Sequence, residues 1–217
     1  MELFDPSQVF DVIDRRLPHW SQSGAITFIT WRTWDSLPEK VIRQWQQERN
    51  CWLQVQGINH EAIDWQSQVQ KLAPALIDEF KQILADRWNE HLDECHGDCV
   101  LRIPTYSLIV ANSLTHFDGD RYELTDFVIM PNHVHLLVAF PHSEDMLIQC
   151  DSWKHFMATK INRLLRRKGR FWQQDGFDHL VRTPEQFKYL RNYIANNPRK
   201  ANLKPDEARV YSSRSAR

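Results

Sequence analysis

The chain has 217 residues, 42% of them hydrophobic and 25% charged, with 6 Gly and 10 Pro. This is enough apolar chain for a real core and too little Gly and Pro for a long disordered tract. No apolar run approaches the roughly 20 residues of a membrane span. The N-terminal MELFDPSQVFDVIDRR lacks the basic-then-apolar order of a signal peptide, so the expected location is cytoplasmic.

The net charge of −1 does not itself suggest a nucleic-acid binder, but the charge is segregated. Residues 151–217 hold 16 Lys/Arg against 6 Asp/Glu, whereas residues 1–150 hold 11 against 22. Phosphate contact is governed by a local basic surface and not by the total. The plainer alternative is a basic segment that pairs with the chain's own acidic helices.

In chain order, residues 24–34 (GAITFITWRTW) alternate β-branched and aromatic side chains and predict a strand. Ser36-Leu37-Pro38-Glu39 resembles a capping box opening a helix. Three helical stretches follow: Val41 to Leu53, Ile63 to Leu72, and a run from Pro74 through Ile83, Leu84, Trp88 and Leu92. Residues 36–94 are therefore expected to be an acidic helical insertion with its tryptophans in a core. ECHGDC carries Cys95 and Cys99 near His91 and His96, which leaves open either a zinc cluster or reduced thiols.

A helix over Ser107–His116 stops at Phe117-Asp118-Gly119-Asp120. YELTDFVIM (122–130) and HVHLLVAF (133–140) read as adjacent strands joined at Pro131-Asn132. Residues 145–168 predict a basic amphipathic helix with Trp153, Phe156, Met157, Ile161, Leu164 and Leu165 inside. Phe171–Arg182 predicts another strand. Thr183-Pro184-Glu185-Gln186 carries the capping residues of a last helix, which is expected to end near Asn196, before Pro198. Residues 205–217 are expected to be a disordered tail. The order is β-α-β-β-α-β-α once the insertion is set aside. That is one α+β domain, a ferredoxin-like antiparallel sheet with helices on one face and one extra helix.

Two features carry chemistry. His133 and His135 stand two apart on a strand, so both point to one face. Paired buried imidazoles are costly unless something binds them, and a metal does so; two hydrogen-bonded structural histidines are the alternative. On the last helix Tyr189, Tyr193 and Asn197 are four apart and share a face, amid Lys188, Arg191, Arg199 and Lys200. Cations and a metal stabilise the phenolate of a nucleophilic tyrosine; packing aromatics are the alternative. Lys154, Lys160, Arg163, Arg166, Arg167, Lys168 and Arg170, with Arg199 and Lys200, form the candidate phosphate-contacting set.

The series PNHVHLLV, SWK, FW, DHLVR and NYIANNP, in this order over roughly residues 24–35 and 95–203, resembles the REP-associated tyrosine transposases. These are relatives of the single-tyrosine transposases whose motif is His, bulky hydrophobic, His. The resemblance implies a ferredoxin-like fold and a metal held by His133, His135 and Asn197, with Tyr193 as the nucleophile. It also implies single-stranded or hairpin DNA as partner, Mg²⁺ or Mn²⁺ as cofactor, and a monomer or homodimer. The chain departs from the family at NPRKANL, which has Arg199 and Asn202, and at Gly176, where an aromatic is common. Two rivals stand beside this reading: a metal phosphoesterase, and a hairpin-binding protein without cleavage. A histidine-triad hydrolase needs a third histidine where this chain has Leu137.

Overall fold

The computed structural model describes residues 1–15, 18–73, 75–77, 79–80, 92, 94–174 and 176–213. The chain forms two compact units, Met1–Ser36 with Asp98–Arg217, and Leu37–Gly97.

The larger unit is built on a five-stranded sheet. The alternating run becomes β3 (Ile26–Arg32), after a short hairpin of β1 (Asp11–Asp14) and β2 (Pro18–Ser21). The sheet continues with β4 (Glu123–Ile129), β5 (His133–Ala139), β6 (Phe177–Leu180) and β7 (Arg209–Ser212). Every pairing is antiparallel and the spatial order is β6-β3-β5-β4-β7. Taken alone, β3 to β6 stand in the order 4-1-3-2 of a ferredoxin-like α+β sheet. β4 and β5 form a tight hairpin across Pro131-Asn132, closed by Met130 N–H to the His133 carbonyl at 2.9 Å.

Strand alternation decides what each face receives. Ile29, Trp31, Phe127, Ile129, Val134, Leu136 and Val138 pack with helices α3 (Pro104–Thr115) and α4 (Asp145–Leu164). The opposite face sets Ile26, Phe28, Val128, Leu137 and Ala139 against Leu190 and Ile194 of α5 (Pro184–Lys200). The helices expected on one face are thus α3 and α4, and the extra helix closes the other.

Several boundaries differ from the sequence reading. The helix now called α4 ends at Leu164, and Phe156 and Leu164 point outward, 48% and 54% exposed. Strand pairing beyond Phe171 shrinks to a single bridge, Thr33 to Trp172, before β6. Pro198 lies inside the last turn of α5. A proline there removes one N–H and leaves only the Ile194 carbonyl without its helical partner. The tail expected to be disordered from 205 contains β7, and Tyr211 stacks on Phe127 at 4.9 Å. Asp126 holds this strand. Its carboxylate takes Arg191 at 2.8 Å and Ser212 Oγ at 2.6 Å.

In the smaller unit, α1 (Glu39–Val55) and α2 (Trp65–Val69) supply Leu53 and Val69 to a cluster with Ile58 and Phe80. Trp52 packs on Phe80 at 4.6 Å. Ile63 is exposed, so the second helix is shorter than its apolar pattern suggested. No capping box forms: Pro38 precedes α1, and Ser36 Oγ donates to the Thr33 carbonyl at 2.8 Å. Pro74, Ile83, Leu84, Trp88 and His91 lie outside the described residues.

Candidate functional site

The two-residue step along β5 brings His133 and His135 to the same face, ring centroids 4.7 Å apart, both essentially buried. Each ring is fixed through Nδ1. His133 Nδ1 lies 2.8 Å from Asn132 Oδ1, an acceptor, so Nδ1 carries the proton and Nε2 keeps its lone pair. His135 Nδ1 lies 2.7 Å from Thr30 Oγ1, its partner in the β3–β5 register. Phe28 stacks on the His135 ring at 5.4 Å.

The last helix supplies the other wall. Thr183 caps it, its Oγ1 accepting from Gln186 N–H at 3.1 Å, while Gln186 Oε1 accepts from Arg182 N–H at 2.7 Å. The helix is thereby anchored at its start, and Tyr193 and Asn197 face the sheet. Tyr193 Oη lies 3.4 Å from His135 Nε2. Asn197 is 1% exposed. Tyr189 is 66% exposed and Tyr193 is half-buried, so the helix separates the two tyrosines that spacing alone left equivalent.

The electrostatics keep both imidazoles neutral. Burial, and then the neighbouring His135, hold His133 well below the ordinary imidazole value. Burial, and then the Lys200 ammonium, push His135 down to about 3. Among the described residues His133 Nε2 and both amide atoms of Asn197 are buried without a hydrogen-bond partner. An orphaned buried polar group costs on the order of 1–3 kcal/mol. The lone pairs of His133 Nε2 and Asn197 Oδ1, on one face, suit a divalent cation with open positions. Among the described residues no three His, Cys, Asp or Glu side chains gather into a metal-holding group, the ECHGDC cysteines included.

The basic residues divide. Arg199 and Lys200 stand exposed at the end of α5, on the imidazole side of the sheet. Lys154, Lys160 and Arg163 belong to α4, which covers the other face. Lys154 donates to the Gln174 carbonyl. Arg166, Arg167, Lys168 and Arg170 lie in the loop beyond α4, with Arg167 bonded to Asn162 Oδ1 and paired with Asp98 at 3.4 Å.

Sequence reading missed three neighbours of the site: Thr30, Asn132 and Arg32. The β3–β5 register sets Arg32 opposite His133, half-buried, its guanidinium 3.0 Å from Ser36 Oγ and lowered by burial to about 10. A polar Thr in an apolar strand was the visible signal, but register is a tertiary property. Gly176 belongs to the same support. A Cβ there would come within 2.8 Å of the Thr30 carbonyl oxygen, so only glycine lets this segment lie against β3. A larger side chain at that position has no room.

No protein-family model and no curated protein matches this chain. Among solved structures, that of a REP-associated tyrosine transposase bound to a REP hairpin aligns over 86% of this chain and 73% of that chain, at 13% identity and a TM-score of 0.43. A likeness at this level transfers no residue role. Among the described residues no helix is long and apolar enough to cross a membrane.

Proposed function

We propose that the protein is a metal-dependent nuclease and strand transferase for single-stranded, hairpin-forming DNA, acting through a 5′-phosphotyrosine at Tyr193. The observation that carries this reading is the approach of Tyr193 Oη to His135 Nε2, 3.4 Å, beside the orphaned His133 Nε2 and Asn197 amide. His133, His135 and Asn197 hold Mg²⁺ or Mn²⁺ in this reading. When bound, the ion supplies positive charge to polarise the scissile phosphate and neutralise charge in the transition state.

The chain's own residues do the rest. Thr30 and Asn132 fix the imidazole rings. The cap at Thr183 and the packing of Leu190 and Ile194 fix the helix that carries the nucleophile. Tyr193 Oη attacks phosphorus in line and gives up its proton, and the bond to the 3′-oxygen breaks as that oxygen takes one up. The new phosphotyrosine ester conserves the phosphodiester energy, so a later 3′-hydroxyl reverses the step and joins a strand. The order of motifs PNHVH and NYIANNP and the basic C-terminal third support DNA as the substrate.

Incubation of the protein with a labelled single-stranded hairpin oligonucleotide in Mn²⁺, followed by denaturing electrophoresis, tests the proposal. Wild type forms a protein–DNA adduct, whereas Tyr193→Phe forms none and still binds the hairpin. An adduct in Tyr193→Phe, or one mapping to Tyr189, refutes the assignment. Turnover without any adduct identifies a hydrolytic phosphoesterase instead.

A further inference from the structure

The end of the sheet at which β5 begins carries an aromatic that the proposed chemistry does not use. Trp34 is 48% exposed, yet its backbone is fixed. Its N–H donates to the Phe171 carbonyl at 2.8 Å, and its carbonyl accepts from Gln173 Nε2 at 2.8 Å. One residue earlier, Thr33 N–H donates to the carbonyl of Asn132, the residue that holds the His133 ring. Strand pairing persists through Thr33, which bridges to Trp172. Trp34 opens the turn that follows, two residues beyond Arg32, which the register sets opposite His133. The Arg170 guanidinium lies over the indole, 4.5 Å from the ring centroid. Arg166 and Lys168 are exposed in the same loop.

We propose that Trp34, backed by Arg170, is a stacking platform for an unpaired base of the DNA strand engaged at the His133, His135 and Tyr193 site. This rests on the proposed function and extends it to a base-contacting residue. An indole already held in place loses little freedom on stacking, so the contact energy is realised almost in full. The guanidinium on the ring draws a polyanion to the aromatic, and a base has a π-face to offer only when it is not paired within a duplex. A strand whose phosphate lies between β5 and α5 passes one end of these strands, and Trp34 is an exposed aromatic just past the end of β3. Aromatic surface interleaved with arginine is the composition that grips single strands without reading sequence.

Fluorescence anisotropy with a labelled oligothymidylate, and with a matched oligonucleotide of abasic residues, tests the platform in wild type, Trp34→Ala and Trp34→Phe. Trp34→Ala should lose at least about fivefold in affinity for the base-bearing strand. Trp34→Phe should keep most of it, and all three proteins should bind the abasic strand alike. An unchanged affinity of Trp34→Ala for oligothymidylate overturns the platform while leaving the proposed function intact. An equal loss on both strands identifies a purely electrostatic patch and also overturns it. Failure of wild type to bind either strand while it binds the hairpin oligonucleotide overturns the platform alone, and failure to bind all three overturns the proposed function with it.

Discussion

The two faces of the sheet are made by the same strands and have opposite characters. Toward α3 and α4, β3 and β5 present Ile29, Trp31, Val134, Leu136 and Val138, all buried in one apolar cluster. Toward α5, alternate residues of the same strands present Thr30, His133 and His135. The first face is filled by apolar side chains, and its orphaned polar atoms are the indole N–H groups of Trp31, Trp153 and Trp172, which belong to large packing side chains. The second keeps an imidazole and an amide without partners, His133 and Asn197, which a protein selected for stability alone would replace with Leu or Val. The difference teaches where to look for function: not the more hydrophobic side, but the side that gives up stability to keep donors in place.

The largest expected effect breaks the first face. Leu136→Ala removes a fully buried side chain and should cost about 2–5 kcal/mol in chemical denaturation. On the second face, the central prediction concerns metal affinity. Thr30→Val removes the hydroxyl that holds His135 Nδ1 and keeps the shape. It should weaken Mn²⁺ binding roughly 10- to 100-fold and, by leaving Nδ1 buried without its partner, cost about 1–3 kcal/mol of stability, and Thr30→Ser should restore both. Equal Mn²⁺ affinity in Thr30→Val and wild type would show that the hydroxyl does not position the ring.

Asn197→Leu sharpens the contrast by reversing the sign. It replaces an orphaned amide by an apolar group of similar size and should leave the metal-free protein as stable or more stable, by up to about 1–3 kcal/mol, while abolishing stabilisation by Mn²⁺. Loss of stability comparable to that of Leu136→Ala would mean that the amide is structurally engaged.

The most gradual effect is a slope with pH. In the unfolded chain His135 protonates near 6.5, but in the folded protein only near 3. Across that window the unfolded state binds more protons, so metal-free stability falls as pH drops below about 6.5. His133, also held low by burial, adds in the same direction. His135→Phe should flatten the slope measured by denaturant titration at several pH values. A slope identical to wild type would contradict the buried neutral state.

How much of this was legible in the sequence depended on whether local chemistry or tertiary contact set the feature. Alternation alone gave β3, β4 and β5 and put both histidines on one face. The residues Thr183-Pro184-Glu185-Gln186 marked the start of α5 through a cap that needs no distant partner. β7 was invisible, because Arg209–Ser212 has no strong strand pattern and is held by Asp126, Arg191 and Phe127 from elsewhere in the chain. The outward turn of Phe156 and Leu164 was equally hidden, since helical spacing marks a stripe without saying how much of it a neighbour covers. At the site, spacing paired His133 with His135 and put Tyr189, Tyr193 and Asn197 on one helix face, and the order of motifs singled out Tyr193 and Asn197. Thr30 and Arg32 did not, because only the pairing register brings them to the histidines.

The central claim is that the α5 face of the sheet is built around a divalent cation. Isothermal titration of Mn²⁺ into the purified protein tests it most directly, with His133→Ala and Asn197→Leu titrated alongside. The account predicts one Mn²⁺ per chain in wild type and no resolvable binding at that stoichiometry in either variant. Absence of binding to wild type, or undiminished binding to both variants, would contradict it.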